Sequence, residues 1–227
     1  MILERNNFMS MGQIENKLNH LSANSVVPNI KQLMNLYVLR RAAIKEIGTK
    51  LENLDDEYST IHNHNPINLI EERLKSPASL FEKIKRKHLD YSLESINTEI
   101  LDIAGIRVVT NYLDDILRIK NTLVSQDDVT LIKAKDYLNH PKSNGYRGIH
   151  LVVTVPVFLA NQTHKAVPVE VQLRTSGMEL WASLEHRLHY KNSSKKTTEH
   201  IQKLQEYSQK INDIEIGMQQ IARDIQQ

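Results

Sequence analysis

Chemistry-bearing residues gather in four segments of the chain. In Asp102-Ile-Ala-Gly-Ile-Arg107-Val, a carboxylate precedes an apolar run and an arginine is embedded in it. A charge inside such a run marks either a site or a sheet edge. In Val169-Glu-Val-Gln-Leu-Arg-Thr175, Glu170, Gln172 and Arg174 alternate with apolar residues and project from one strand face. A half-exposed strand without a site would read the same way.

The other two segments are cationic. Arg73, Lys75, Lys83, Lys85, Arg86 and Lys87 crowd a stretch in which Glu82 is the single opposing charge. Ser76-Pro77 reads as an N-cap followed by proline at the first helical position. Ser79, Lys83 and Arg86 or Lys87 then lie three or four residues apart on one face. A helix start among cations suits a polyphosphate, since backbone donors and charged side chains converge on it; a solvated helix face is the bland alternative. Finally, Lys133-Ala-Lys135-Asp leads into Asn139-His-Pro-Lys142-Ser-Asn144-Gly-Tyr146-Arg147-Gly-Ile-His150. Pro141, Asn144 and Gly145 form a loop, Lys142 and Arg147 can meet phosphate, and Tyr146 offers a flat surface to a base.

These segments need a scaffold. Apolar residues recur at helical spacing from about Asn29 to Ile61, so the opening third is expected to be mostly helix, although the signal before Pro28 is weak. A break at His62-Asn63-His64-Asn65-Pro66 precedes a short strand containing Leu69 and Ile70. Helices follow with Leu80, Phe81 and Ile84 on one face and then around Leu93 to Leu101. Residues 103–109, 129–134, 149–158 and 167–173 are rich in β-branched residues and bounded by turn formers, and a helix from Asp114 to Leu123 separates the first two. This order predicts an α+β fold: a mixed sheet of about five strands flanked by helices. A helix carrying Met178, Leu180, Trp181, Leu184 and Leu188 comes next. A long C-terminal helix from about Glu199 spaces Leu204, Tyr207, Ile211, Ile214, Met218, Ile221 and Ile225 alternately by threes and fours. That seam packs either on the rest of the fold or on another subunit.

Composition narrows the function classes. The 227 residues suffice for one sizeable domain with a helical appendage. The 40% hydrophobic and 25% charged content is that of a globular chain. A net charge of +2 is too small for wholesale nucleic-acid or membrane binding, so a site for an acidic partner must be local. The absence of cysteine excludes disulfides, thiolate zinc and thiol nucleophiles, and leaves a hard cation such as magnesium as the best-fitting metal. The N-terminus lacks the sustained apolar stretch of a signal peptide. The most apolar run, Gly148 to Ala160, is too short to span a bilayer, so the expectation is cytoplasmic.

Taken together, the segments resemble the synthetase domain of the RelA/SpoT family, most closely its stand-alone members of the RelP and RelQ kind. The match is carried by Arg73-Leu-Lys75-Ser, Asp102-Ile-Ala-Gly-Ile-Arg107, Lys135-Asp-Tyr137, Pro141-Lys-Ser-Asn-Gly-Tyr-Arg147, His150, Glu170-Val-Gln-Leu-Arg-Thr175 and Trp181-Ala-Ser-Leu-Glu-His186. It runs from about residue 69 to 191, and the order and combination of the motifs make it specific. It implies a nucleotidyltransferase-like synthetase domain at 66–191, an N-terminal helical region at 1–65 and a C-terminal helix at 192–227.

The resemblance also implies a reaction: the β,γ-pyrophosphate of ATP moves to the 3′-hydroxyl of GDP or GTP, and AMP leaves. Asp102 and Glu170 match the carboxylates that organise magnesium and the attacking hydroxyl. Arg73 and Arg107 would sandwich the adenine of ATP, with Lys75, Ser79, Lys83 and Arg86 on its phosphates. Tyr146 matches the tyrosine that stacks on guanine; Lys135, Lys142, Asn144, His150 and Gln172 fall on the acceptor side. Glu179 stands where relatives often carry Asn or Asp, and it could accept the guanine N1 and N2 hydrogens that adenine lacks. No His-Asp dipeptide occurs in the chain, so the hydrolase activity of long family members is not expected. Small synthetases of this kind imply a homo-oligomer, a tetramer. Two alternatives stay open. One is a tRNA 3′-end pyrophosphokinase toxin of the same family, which the basic patch at Lys83 to Lys87 permits and Tyr146 opposes. The other is a non-catalytic nucleotide- or RNA-binding module, which the pair Asp102 and Glu170 opposes.

Overall fold

The computed structural model describes residues 3–4, 10–22, 30–161, 163–191 and 198–226. The proposed helix start at Asn29 and the residues just after the 191/192 boundary lie outside that set. Thirteen elements follow in order: β1 (Leu3–Glu4), α1 (Met11–Ser22), α2 (Ile30–Ile61), β2 (Ile67–Leu74), α3 (Pro77–Arg86), α4 (Leu93–Glu99), β3 (Ala104–Thr110), α5 (Leu113–Val124), β4 (Thr130–Asp136), β5 (Ile149–Phe158), β6 (His164–Thr175), α6 (Ser176–Lys191) and α7 (Thr198–Gln226). Among the described residues no helix is long and apolar enough to cross a membrane.

The sheet is mixed, with strand order β1-β2-β3-β6-β5-β4. The five expected strands are present, and the two-residue β1 adds a sixth by pairing parallel with β2 at Leu3↔Ile70. β3 and β6 are parallel neighbours at the centre. β4 is the far edge and exposed throughout; its lysines Lys133 and Lys135 guard the unpaired side against another strand. The core lies on one face of the sheet, where Leu33, Tyr37, Ile44, Ile47 and Leu51 of α2 meet the buried positions of the central strands. Alternation in β6 (Val169, Val171, Leu173 buried; Glu170 and Gln172 half-buried) sends the polar residues to the opposite face.

Cross-strand register aligns those polar residues in two rows. The first runs Glu71↔Arg107, Arg107↔Gln172, Gln172↔His150 and His150↔Lys135 across β2, β3, β6, β5 and β4. The second runs Arg73↔Gly105, Gly105↔Glu170, Glu170↔Val152 and Val152↔Lys133. Gly105 sits between Arg73 and Glu170, so the floor there carries no side chain.

The C-terminal seam is divided differently from its apolar spacing. Leu204 and Ile211 are half-buried, but Tyr207, Ile214, Met218, Ile221 and Ile225 are all more than half exposed. The face that docks on the body is instead Leu204, Ser208, Ile211, Glu215 and Gln219. Its polar members bond to backbone: Glu215 Oε1 accepts from Gly177 N at 3.1 Å and Gln219 Oε1 from Asp114 N at 3.0 Å. Hydrophobic periodicity cannot see a helix face held by hydrogen bonds to loops and helix ends.

Candidate active site

The cationic helix α3 starts as expected. Ser76 caps it, accepting from Ser79 N at 3.2 Å, and Pro77 occupies the first turn. This places Lys83 one side-chain length from Asp102, two residues before β3. Lys83 Nζ donates to Asp102 Oδ2 at 2.6 Å, and Lys75 Nζ lies 3.2 Å from the same oxygen. Burial pushes the Asp102 carboxyl up, but the Lys83 hydrogen bond and the charges of Lys75 and Lys83 outweigh it and hold Asp102 below its ordinary value. The other oxygen, Asp102 Oδ1, is buried and accepts no hydrogen bond from the protein.

Glu170 projects from β6 into the same recess of about 140 Å³, whose walls also carry Lys83, Asp102, Lys133, Lys135 and His150. Gln172 Nε2 donates to Glu170 Oε2 at 2.8 Å, and His150 Nδ1 lies 3.5 Å from Oε1. Here too burial raises the carboxyl, but the bonds from His150 and Gln172 prevail and leave Glu170 lowered, hence ionised at neutral pH. The far nitrogen of the ring, His150 Nε2, shares a 2.5 Å hydrogen bond with the Tyr146 hydroxyl, which accepts from Arg174 Nε at 3.0 Å. With the proton on Nδ1, the chain runs one way from Arg174 through Tyr146 and His150 to Glu170.

Beside this recess lies a wider cleft of about 710 Å³. Its lining includes Arg73, Ser79, Arg107, Tyr146, Gln172 and Glu179. Arg107 Nη1 donates to Glu71 at 2.7 Å and to Glu179 at 3.1 Å. Glu179, on the first turns of α6, also accepts from Arg174 Nη1 at 2.8 Å. One carboxylate thus orients the arginine of β3 and the arginine of β6. Arg73, diagonal to Arg107 across the β2–β3 ladder, is exposed. Diagonal neighbours are about 7 Å apart, enough for a flat base between two guanidinium planes.

The loop between β4 and β5 closes tightly. Gly145 N donates to Lys142 O at 2.8 Å and Lys142 N to Tyr146 O at 3.1 Å, with Gly145 at a φ of 94° that only glycine adopts readily. Asn144 Oδ1 caps the turn by accepting from Tyr146 N at 3.1 Å. Tyr146 is not the open platform that the sequence suggests. The residue is 8% exposed, and Lys142 Nζ lies 4.6 Å from the ring centroid. Gly148 makes this packing feasible, because a β-carbon there would sit 3.0 Å from Leu173 O and 3.4 Å from the Tyr146 hydroxyl.

The sequence-derived candidates therefore divide. Arg73, Ser79, Arg107, Tyr146, Gln172 and Glu179 share the cleft; Lys83, Asp102, Lys135, His150 and Glu170 share the recess; Lys75 joins them through Asp102. Arg86, Lys142 and Asn144 line neither space. Arg86 sits exposed on the last turn of α3, one turn beyond Lys83. Three residues absent from the candidate set belong to the site: Glu71, Lys133 and Arg174. The sequence carried a signal for two of them, since Lys133 shares a strand face with Lys135 and Arg174 one with Glu170 and Gln172. Glu71 gave none, because its role comes from its cross-strand partner.

Two ionised carboxylates under a crowd of cations, beside a cleft with two flat-faced arginines, form a site whose charges suit the phosphates of a nucleotide. Residues 72–196, more than half of the chain, match the region found in RelA / SpoT proteins. The chain is 34% identical to GTP pyrophosphokinase YwaC of Bacillus subtilis over 81% of its length and 89% of that protein. It is also 34% identical to GTP pyrophosphokinase YjbM of the same organism, over 87% and 92%. The fold is similar to the crystal structure of small alarmone synthetase 1 from Bacillus subtilis bound to its product pppGpp, with a TM-score of 0.77 at 34% identity, covering 87% of this chain and 100% of that one. The chain belongs to the RelA/SpoT family.

Proposed function

We propose that this protein is an alarmone synthetase: it transfers the β,γ-pyrophosphate of ATP to the 3′-hydroxyl of GDP or GTP and releases AMP. The observation that carries the reading is the recess in which Asp102 and Glu170 face one another's surroundings beneath Lys83, Lys133 and Lys135. Glu170, ionised and steadied by Gln172 and His150, takes the proton of the 3′-hydroxyl as the oxygen attacks the β-phosphorus. The bond between the α,β-bridging oxygen and that phosphorus breaks, and AMP departs with the bridging oxygen. Lys83 and Lys75 meet the phosphate charge, Arg73 and Arg107 enclose the adenine, and Ser79 with the start of α3 adds donors.

The donor set also fits magnesium. Asp102 Oδ1 is a buried carboxylate oxygen that accepts no bond from the protein, and Glu170 lies across the same recess. Among the described residues no group of three or more His, Asp or Glu could form a protein cage. Two carboxylates completed by phosphate oxygens suit this cation. When bound, it would neutralise charge developing on the transferred group.

On the acceptor side, Tyr146 would stack on guanine once Lys142 moves from the ring toward phosphate. Lys135 and His150 face the ribose and phosphates, and Glu179 accepts from the guanine edge while keeping its two arginines. Self-association belongs to the same reading. Leu180, Leu184 and Leu188 of α6 and Ile214, Met218 and Ile221 of α7 are each at least half exposed, and Leu180, Ile214 and Met218 line one hollow, an apolar surface that a second copy would cover. A homotetramer, acting in the cytoplasm, is the proposed state. Incubation of the purified protein with labelled ATP and GDP, GTP or tRNA tests the assignment: label on the guanine nucleotide is expected, whereas label on tRNA alone, or none, would overturn it.

A further inference from the structure

Helix α7 carries none of the residues assigned to substrate, yet it holds the loop that does. Trp181 Nε1 donates to Leu204 O at 2.8 Å and seats α7 on α6. From that anchor, Gln205 Nε2 donates to Ser143 O, and the buried Ser208 donates its hydroxyl to Gly145 O at 2.5 Å. Gln209 Oε1 accepts from Arg147 Nη2 at 2.8 Å. The backbones also meet: a β-carbon at Gly145 would lie 3.0 Å from the Gln205 Cα and 3.1 Å from the Ser208 Cβ. Gly145 is thus required twice, by its own positive φ and by the helix above it. Farther along, α7 bonds to Gly177 and Asp114, away from α3 and the donor cations.

We infer that α7 is the support behind the acceptor loop, with Gln205 and Ser208 as positioning residues that hold residues 142–147 in the conformation a guanine nucleotide meets. The inference rests on the assignment of that loop to the acceptor. A loop that is ordered only part of the time binds more weakly in proportion to its competent fraction, so loss of the clamp acts on acceptor affinity and not on the donor. Lys142, Asn144 and Tyr146 all lie within the clamped turn, whereas Arg73 on β2, Lys75 just after it and Lys83 on α3 lie outside it.

The test is the double variant Gln205→Ala/Ser208→Ala in the full chain, assayed at saturating ATP with GDP varied, and the reverse. The KM for GDP is expected to rise about tenfold while that for ATP stays within about twofold. Trp181, the single tryptophan, reports whether α7 stays seated, and its emission maximum should not move. Equal rises for both substrates, or no rise for GDP, would overturn the inference. If the double variant loosens the helix and shifts the emission, Gln205→Ala alone, at an exposed side chain, carries the test with an expected threefold or so rise for GDP only. Should the wild type make no product from ATP and GDP, the proposed activity fails by itself. Calorimetry of GDP binding then still decides the clamp: weaker binding by the variant supports it, and an unchanged affinity refutes it.

Discussion

Lys83 Nζ lies 2.6 Å from Asp102 Oδ2, so a cation proposed to meet the donor phosphates is also the counter-ion of the carboxylate proposed to hold magnesium. The two roles are compatible because Asp102 presents its second oxygen, Oδ1, without a protein partner. An ammonium with three donors can keep the carboxylate and take a phosphate oxygen together.

Asp102→Asn keeps the shape but removes the charge between Lys75 and Lys83. Magnesium-dependent synthesis should fall by about a hundredfold or more, with poor recovery as magnesium is raised. A titration of rate against magnesium checks it; an unchanged dependence would place the metal elsewhere.

Glu170→Gln should reduce kcat by about 10²–10⁴-fold, the usual worth of a positioned base, with the fold intact by circular dichroism. Gln172 can still hydrogen-bond the amide, so the architecture of the recess survives. Near-normal turnover would remove Glu170 from the mechanism.

The pH dependence follows from how Glu170 is held. Burial raises its carboxyl, and the hydrogen bond from His150 is the first influence that lowers it, to a net value below the ordinary 4.5. A depressed folded-state value means that this group's stabilising contribution is complete above 4.5 and is lost as pH falls through the lower folded value. The acid limb of the kcat–pH profile should lie in that same low window. In His150→Ala the limb should move upward and the window should narrow. An acid limb that does not move would dissociate His150 from the base.

Tyr146→Ala should raise the KM for GDP or GTP about tenfold or more and that for ATP far less, as stacking acts on the acceptor alone. The structure adds a control. Tyr146→Phe keeps the ring but cuts the Arg174–Tyr146–His150 chain, so it should lower kcat more than it raises KM. Equal effects of Tyr146→Ala on both substrates would reassign the residue.

Assembly can be separated from chemistry. Ile214 is 65% exposed and Ile221 53%, so Lys at both positions should leave the protomer folded while it buries charge at any contact made there. Light scattering at micromolar concentration is expected to give a tetramer for the wild type and a smaller species for the variant. A monomeric wild type would end the assembly proposal and leave the catalytic one standing.

The sequence alone determined the elements and the members of the site wherever the signal is local. The Ser76 cap, the period-two face of Glu170 and Gln172 and the turn at Asn144-Gly145 depend on neighbours within a few residues, and each stands as read. Only the tertiary structure decided the rest, because those relationships cross the chain. Register made Glu71 the partner of Arg107, packing covered Tyr146 with Lys142 and joined it to His150, and α7 docked through Ser208, Glu215 and Gln219 beside Leu204 and Ile211, where apolar spacing had left the seam's partner open. Periodicity records which residues avoid water, whereas a buried hydrogen bond to a distant backbone leaves no period in the sequence.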